Sequence, residues 1–154
     1  VVLAIIRKNE GFIMRENTAF YFDMDGVLAN FHEHKDGWIF ARGYKFIREL
    51  RPFMETVDLV NDLIAGGNDV YISSLCASED AKRAKIDWLG QYIPALDLDH
   101  IIIIVGNGKK HENMKTANGI LVDDKLANVR AWRKAGMKAV LVEEKGKVDL
   151  TTMA

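Results

Sequence analysis

Cysteine is almost absent from this chain, proline is rare, and no charge of one sign prevails. The lone Cys76 excludes an internal disulfide and suits a reducing compartment, so a cytoplasmic location is expected. The two prolines, Pro52 and Pro94, stand beside helical patterns rather than inside them. No apolar run approaches the roughly 18 residues that a membrane-spanning helix requires, so no membrane partner is expected. Val1–Ile6 is apolar but short, and the basic Arg7 and Lys8 follow it instead of preceding it, which argues against a secretory signal. Lys and Arg together number 21 against 22 Asp and Glu, and no long basic block occurs. That balance offers duplex nucleic acid no electrostatic footprint and leaves a small anionic substrate as the easier partner.

What is present is a chain of 154 residues, 49% of them hydrophobic, with no low-complexity segment. Its length suits one domain with a sizeable core, expected over residues 1–154. Because the chain opens with valine and Met14 follows, residues 1–17 are read as an extension, either an upstream start or an added strand, and no function is placed there.

From Thr18 onward strand and helix patterns alternate. Thr18–Asp23 reads as a strand, and Met54–Ile64 as a helix with Met54, Val57, Val60 and Ile64 on one stripe, stopped by Gly66-Gly67-Asn68. Asp69–Ser74 reads as a second strand, and Glu79–Tyr92 as a helix carrying Ala81, Ala84, Ile86, Trp88 and Leu89. His100–Val105 is a continuous apolar run of the kind buried on both faces of a parallel sheet. Gly119–Asp123 and Ala139–Glu143 are further strands, separated by a helix over Leu126–Ala135 that ends at Gly136. Strands spaced by amphipathic helices form right-handed βαβ units. The expected fold is therefore α/β, a Rossmann-like three-layer sandwich with a mostly parallel sheet.

Ligands in such folds bind beyond the carboxyl ends of the strands. Four strand ends carry polar or charged groups there: Asp23, then Ser73 and Ser74, then Gly106–Lys110, then Asp123 and Asp124. The most informative is Phe20-Tyr21-Phe22-Asp23-Met24-Asp25-Gly26, where two carboxylates lie two residues apart as an apolar strand enters a glycine turn. In extended backbone such residues project to one side, so Asp23 and Asp25 converge. Like charges so close call for a divalent cation, a shared proton, or both. An acidic hairpin turn is the plain alternative, and the long apolar run before it and the matching residues downstream oppose that. Asp123-Asp124 serves equally to cap the next helix, but a cap needs only one acid. Gly106-Asn107-Gly108-Lys109 lacks the spacing and the following Ser or Thr of a P-loop, which excludes that kind of nucleotide hydrolase.

An Asp-x-Asp-Gly strand end, a later strand ending in Ser, a Lys ahead of a fourth strand and an Asp-Asp closing it resemble the four motifs of the haloacid dehalogenase superfamily. Asp23-Met-Asp-Gly-Val-Leu-Ala-Asn-Phe31, Asp69-Val-Tyr-Ile-Ser-Ser74 and Arg48-Glu-Leu-Arg-Pro52 are most similar to the 5'(3')-deoxyribonucleotidases and their bacterial and phage relatives. The resemblance spans Thr18 to Val142. It implies an Mg²⁺-dependent phosphomonoesterase that acts on a nucleoside monophosphate. Asp23 is the implied nucleophile and Asp25 the implied acid and base. Mg²⁺ would be held by the Asp23 carboxylate, the Asp25 backbone carbonyl and Asp124, with Asp123 orienting bound water or a lysine. Ser74 matches the position that hydrogen-bonds the transferring phosphoryl group, with Ser73 the alternative. Lys110 is the implied charge-offsetting cation, with Lys109 and Lys115 as competitors.

The resemblance departs at the cap. Only residues 30–49 separate the first motif from the next helix, a stub where the family carries several tens of residues. The stub holds Phe31, Trp38, Phe40, Tyr44 and Phe46, which either stack on a base or pack the stub onto the core. Phe31 and Trp38 are the expected substrate contacts. His32 and His34 read as solvent-facing rather than as metal ligands. A reduced cap leaves the site open to a bulkier phosphoester or covered by a second copy in a homo-oligomer. Two other readings stay beside the nucleotidase: a phosphatase for another metabolite or a nucleic-acid end, and an idle module that keeps the fold.

Overall fold

The structure is a computed structural model and describes residues 18–31 and 43–153. Among them five strands form one parallel sheet: β1 (Thr18–Phe22), β2 (Val70–Cys76), β3 (Ile101–Val105), β4 (Asn118–Asp123) and β5 (Lys138–Leu141), in the order β3-β2-β1-β4-β5. The helices are α1 (Tyr44–Arg48), α2 (Met54–Ala65), α3 (Glu79–Tyr92) and α4 (Leu126–Lys134). This is the Rossmann-like α/β architecture expected from the apolar periodicity. Among the described residues no helix is long and apolar enough to cross a membrane.

Alternation along each strand feeds two cores. Phe20, Phe22, Ile72 and Val122 pack with Val57, Val60 and Leu63 of α2 and with Ala84, Trp88 and Leu89 of α3. On the other face Ala19, Tyr21, Tyr71 and Leu121 pack with Val129 and Trp132 of α4. Right-handed crossovers explain the division: the steps from β1 to β2 to β3 run one way across the sheet, and the step from β4 to β5 runs the other. Each core centres on a fully buried tryptophan whose indole N–H is satisfied, Trp88 by the Leu50 carbonyl at 2.9 Å and Trp132 by the Gly119 carbonyl at 3.0 Å. Truncating either to alanine would cost about 3–5 kcal/mol. The direction of winding reverses at β1, which has β2 on one side and β4 on the other. The carboxyl ends of β1 and β4 therefore flank the sheet's switch point.

Four expectations are corrected by the packing. Strand β2 does not end at Ser74. It continues to Cys76 because Leu75 and Cys76 pair with Ile104 and Val105 of β3. The run Ile101–Val105 is not buried on both faces: β3 is an edge strand, only Ile103 in it is buried, and Val105 is exposed. In α2 the buried stripe is Thr56, Val57, Val60 and Leu63, while Met54 in the first turn projects into solvent. In α3 the fully buried stripe is Ala81, Ala84, Lys85, Trp88 and Leu89, so a lysine holds a core position and Ile86 is only half-buried.

The stub after the first motif is partly visible. Phe31 and Phe46 meet edge to face at 5.8 Å between ring centroids, and both pack against the larger core. Tyr44 donates to Asp87 of α3 at 2.6 Å, and the Arg83 guanidinium lies 5.1 Å from the Tyr44 ring centre. Trp38, Phe40, His32 and His34 lie outside the described residues.

Candidate active site

The first carboxylate stands where β1 ends. The Asp23 amide donates to the Val122 carbonyl at 2.9 Å, so Asp23 is still held in register with β4. The chain then turns tightly: the Met24 carbonyl accepts from the amides of Leu28 and Ala29 at 2.8 and 2.9 Å, and the Gly26 amide donates to Ala29. Two distant segments tie this loop down. The Phe53 amide donates to the Leu28 carbonyl at 2.7 Å and the Gly146 amide to the Gly26 carbonyl at 3.2 Å. Gly26 has φ +80°, and a Cβ there would collide with the Asp124 carboxylate. Glycine thus serves twice, admitting the turn and allowing a carboxylate from β4 to close on the loop.

Two buried lysines reach this point, one from each face of the sheet. Lys110, in the 3₁₀ turn of the β3–β4 crossover that packs on α4, donates to Asp23 Oδ1 at 2.8 Å and to Asp123 Oδ2 at 2.7 Å. Burial by itself would lower its pKa, but the charges of Asp23 and Asp123 outweigh that and hold it above the ordinary lysine value. The competing lysines are elsewhere. Lys109 is exposed, 3.9 Å from Glu112, and Lys115 donates to the Asp99 carbonyl at the other end of the sheet.

Lys85 comes from α3 on the opposite face and is only 1% exposed. Its ammonium donates to Asp25 Oδ2 at 2.7 Å, to Ser74 Oγ at 2.8 Å and to the Leu75 carbonyl at 2.9 Å, which uses all three of its hydrogens. The sequence reading passed over this residue. The signal was a charged residue at a position where the stripe of Ala81, Ala84, Trp88 and Leu89 demands an apolar one.

The adjacent aspartates on β4 differ sharply. Asp123 is fully buried and saturated: Oδ1 accepts from the Lys125 amide at 2.8 Å, and Oδ2 accepts from Lys110 and from Asn128 at 3.0 Å. Asp124 is half-buried, and its Oδ1, although buried, has no hydrogen-bond partner among the described residues. Burial first, then the charges of Asp23 and Asp123, push the Asp124 carboxyl up to about 7. Asp25 Oδ1 and Ser73 Oγ are likewise buried without a partner among the described residues.

These atoms fit a hard divalent cation. Asp23, Asp123 and Asp124 bring carboxylate oxygens within 4.8 Å of one another, an oxygen-only donor set. Asp123 has its oxygens committed to protein donors, whereas Asp124 keeps one buried oxygen uncommitted. Four carboxyl groups, Asp23, Asp25, Asp123 and Asp124, surround two ammonium groups, Lys85 and Lys110, so the site holds more acidic groups than cations. Ser74 lies beside the site through Lys85. Ser73 is on the other side of β2 and makes no such link among the described residues.

The family described as "5' nucleotidase, deoxy (Pyrimidine), cytosolic type C protein" matches residues 32–148. That span holds Ser74, Lys85, Lys110, Asp123 and Asp124 and begins after Asp23 and Asp25. No curated protein matches the sequence. Among solved structures, a chain described as "Structure of Pnkp1/Rnl/Hen1 complex" superposes with a TM-score of 0.60 at 14% identity, covering 92% of this chain. The present chain spans about half of that one, 52% of its length, and the likeness is one of fold.

Proposed function

This chain belongs to the 5' nucleotidase, deoxy (pyrimidine), cytosolic type C family, and from that premise we propose that it is a phosphatase of the haloacid dehalogenase type. The reaction is hydrolysis of a nucleoside monophosphate through an aspartyl phosphate on Asp23. Lys110 occupies Asp23 Oδ1, which leaves Oδ2 to attack phosphorus as the ester P–O bond breaks. Asp25, its Oδ2 held by Lys85, gives a proton from Oδ1 to the departing alkoxide. Water then attacks the acyl phosphate and gives a proton to Asp25, and inorganic phosphate leaves with Asp23 and the protonated Asp25 restored. Ser74 accepts from Lys85 and so has its own hydrogen to offer a phosphoryl oxygen. Lys110 offsets negative charge on the nucleophile and the transferring group.

Mg²⁺ is the proposed cofactor, held by Asp23, Asp124 and the Asp25 backbone carbonyl, with Asp123 orienting Lys110 rather than binding the ion. When bound, it supplies electrostatic stabilisation of the phosphoryl oxygens. Phe31 and Trp38 are the proposed contacts to the base.

The observation that carries this reading is Lys110 clamped between Asp23 and Asp123 at the switch point, with the uncommitted oxygen of Asp124 beside it. The test is phosphate release with Mg²⁺ or EDTA across 5'- and 3'-(deoxy)nucleotides, sugar phosphates and a 3'-phosphorylated oligonucleotide. Metal-dependent release favouring a mononucleotide is expected. Release from sugar phosphates alone would remove the nucleotide, and release unaffected by EDTA would remove the metal.

A further inference from the structure

Lys85 is a buried cation that bonds to Asp25 and Ser74 but to none of Asp23, Asp123 and Asp124. It is only 1% exposed, its three hydrogens are spent on protein oxygens, and it is therefore not available to bind substrate. A lysine at a core position of a helix is costly to desolvate, and the cost is recovered only where the partners are charged and well placed. Here the charged partner is Asp25, and the neutral ones are the hydroxyl and the following carbonyl of the strand that bears Ser74.

We infer that Lys85 is a positioning residue for proton transfer: it fixes which oxygen of Asp25 faces the reacting bond and which way the Ser74 hydroxyl points. Two geometric facts support this. First, an aspartate side chain has two equivalent oxygens and a broad terminal torsion. With Oδ2 anchored at 2.7 Å from Lys85, the carboxyl plane is set, and Oδ1 becomes the atom presented to the leaving group. Second, Ser74 Oγ accepts at 2.8 Å from a group that can only donate, so one lone pair is directed at Lys85 and the hydroxyl hydrogen points elsewhere, free for an incoming phosphoryl oxygen. Its contact to the Leu75 carbonyl is long, at 3.4 Å, and competes weakly. The division of labour between the faces of the sheet follows. Lys110 from the α4 side serves the nucleophile Asp23, and Lys85 from the α3 side serves the proton carrier Asp25 and the hydroxyl of β2.

This inference rests on the proposed role of Asp25 as proton donor, and the leaving group separates the two claims. A nucleoside 5'-alkoxide needs a proton as it departs, whereas p-nitrophenolate departs without one. Lys85→Met should lower kcat about 100-fold on a deoxynucleoside 5'-monophosphate and less than about 10-fold on p-nitrophenyl phosphate, with KM little changed on either. Lys85→Gln, whose amide can still donate, should show the same discrimination in weaker form and provides the measurement if the methionine variant does not fold. Equal losses on both substrates, or undiminished turnover on both, would overturn the inference while leaving the phosphatase intact. A wild-type protein that releases phosphate from neither substrate with Mg²⁺ would instead bring down the reading of the site on which the inference stands.

Discussion

Each end of the sheet holds a basic side chain between two carboxylates. At the carboxyl end Lys110 bridges Asp23 and Asp123 at 2.8 and 2.7 Å. At the amino end His100, stacked on Tyr71 with ring centroids 4.5 Å apart, bridges Asp69 and Asp97 at 2.8 and 2.7 Å. The distances are the same and the environments opposite. The lysine clamp is buried and has the carboxyls of Asp25 and Asp124 nearby, while the histidine clamp is partly open to water. Burial is the instructive difference. In a desolvated site a cation with a firm charge is needed to keep two carboxylates together, and removing it strands both. Near water a histidine suffices, its contribution is screened, and it is switched by pH.

Breaking the carboxyl-end clamp should have the largest effect. Asp23→Asn removes the proposed nucleophile and should lower kcat by on the order of 10⁴-fold or more in a phosphate-release assay, with the melting temperature of the metal-free protein unchanged or raised. Undiminished turnover would exclude Asp23 from that role. Lys110→Met leaves Asp23 and Asp123 facing each other in a buried site. It should cost about 3–5 kcal/mol in a denaturant titration and abolish turnover, whereas the same change at the exposed Lys109 should do neither.

A smaller effect is expected at Asp124, and its sign sharpens the contrast. A carboxyl raised to about 7 in the folded protein, from 3.8, destabilises the metal-free fold as pH rises between those values, and the penalty is constant above them. Asp124→Asn should therefore stabilise the metal-free protein at pH 8 by about 1–2 kcal/mol after solvent screening is allowed for. Near pH 4 the variant and wild type should melt together. Mg²⁺ should raise the melting temperature of the wild type and not of the variant, and a variant less stable at pH 8 would contradict the origin of the shift.

The smallest effect belongs to the amino end. Hydrogen bonding to Asp97, reduced by partial burial and reinforced by Asp69, raises the His100 pKa above 6.5. The clamp's contribution is therefore fully present below pH 6.5 and is lost as pH rises through the higher folded value. Solvent screening keeps it small. His100→Gln should reduce stability at pH 6 and not at pH 9, with phosphatase activity unaffected at both.

Much of the fold was legible in the residues because parallel α/β units announce themselves by local periodicity. The amphipathic stretch over Glu79–Tyr92 and the apolar run Thr18–Phe22 needed no tertiary information. The run Ile101–Val105 misled because continuous apolarity reports β preference and not place in the sheet, and strand order is a non-local property. Stripe boundaries shifted for a similar reason: whether Met54 or Leu63 meets the sheet depends on the helix's rotation against it.

The sequence by itself determined where acidic groups gather at strand ends: Asp23 and Asp25 two apart before Gly26, and paired acids closing a later strand, because these patterns are short-range and their mutual repulsion calls for a cation or a proton. Only the tertiary structure decided which lysine of the loop reaches them, which of Asp123 and Asp124 is saturated and which is left with an oxygen to spare, and that Lys85 crosses from α3 to brace Asp25. Those choices depend on how a helix and a crossover loop, distant in sequence, seat against the two faces of the sheet. A long flexible side chain reveals its partner only once the surrounding packing has excluded water.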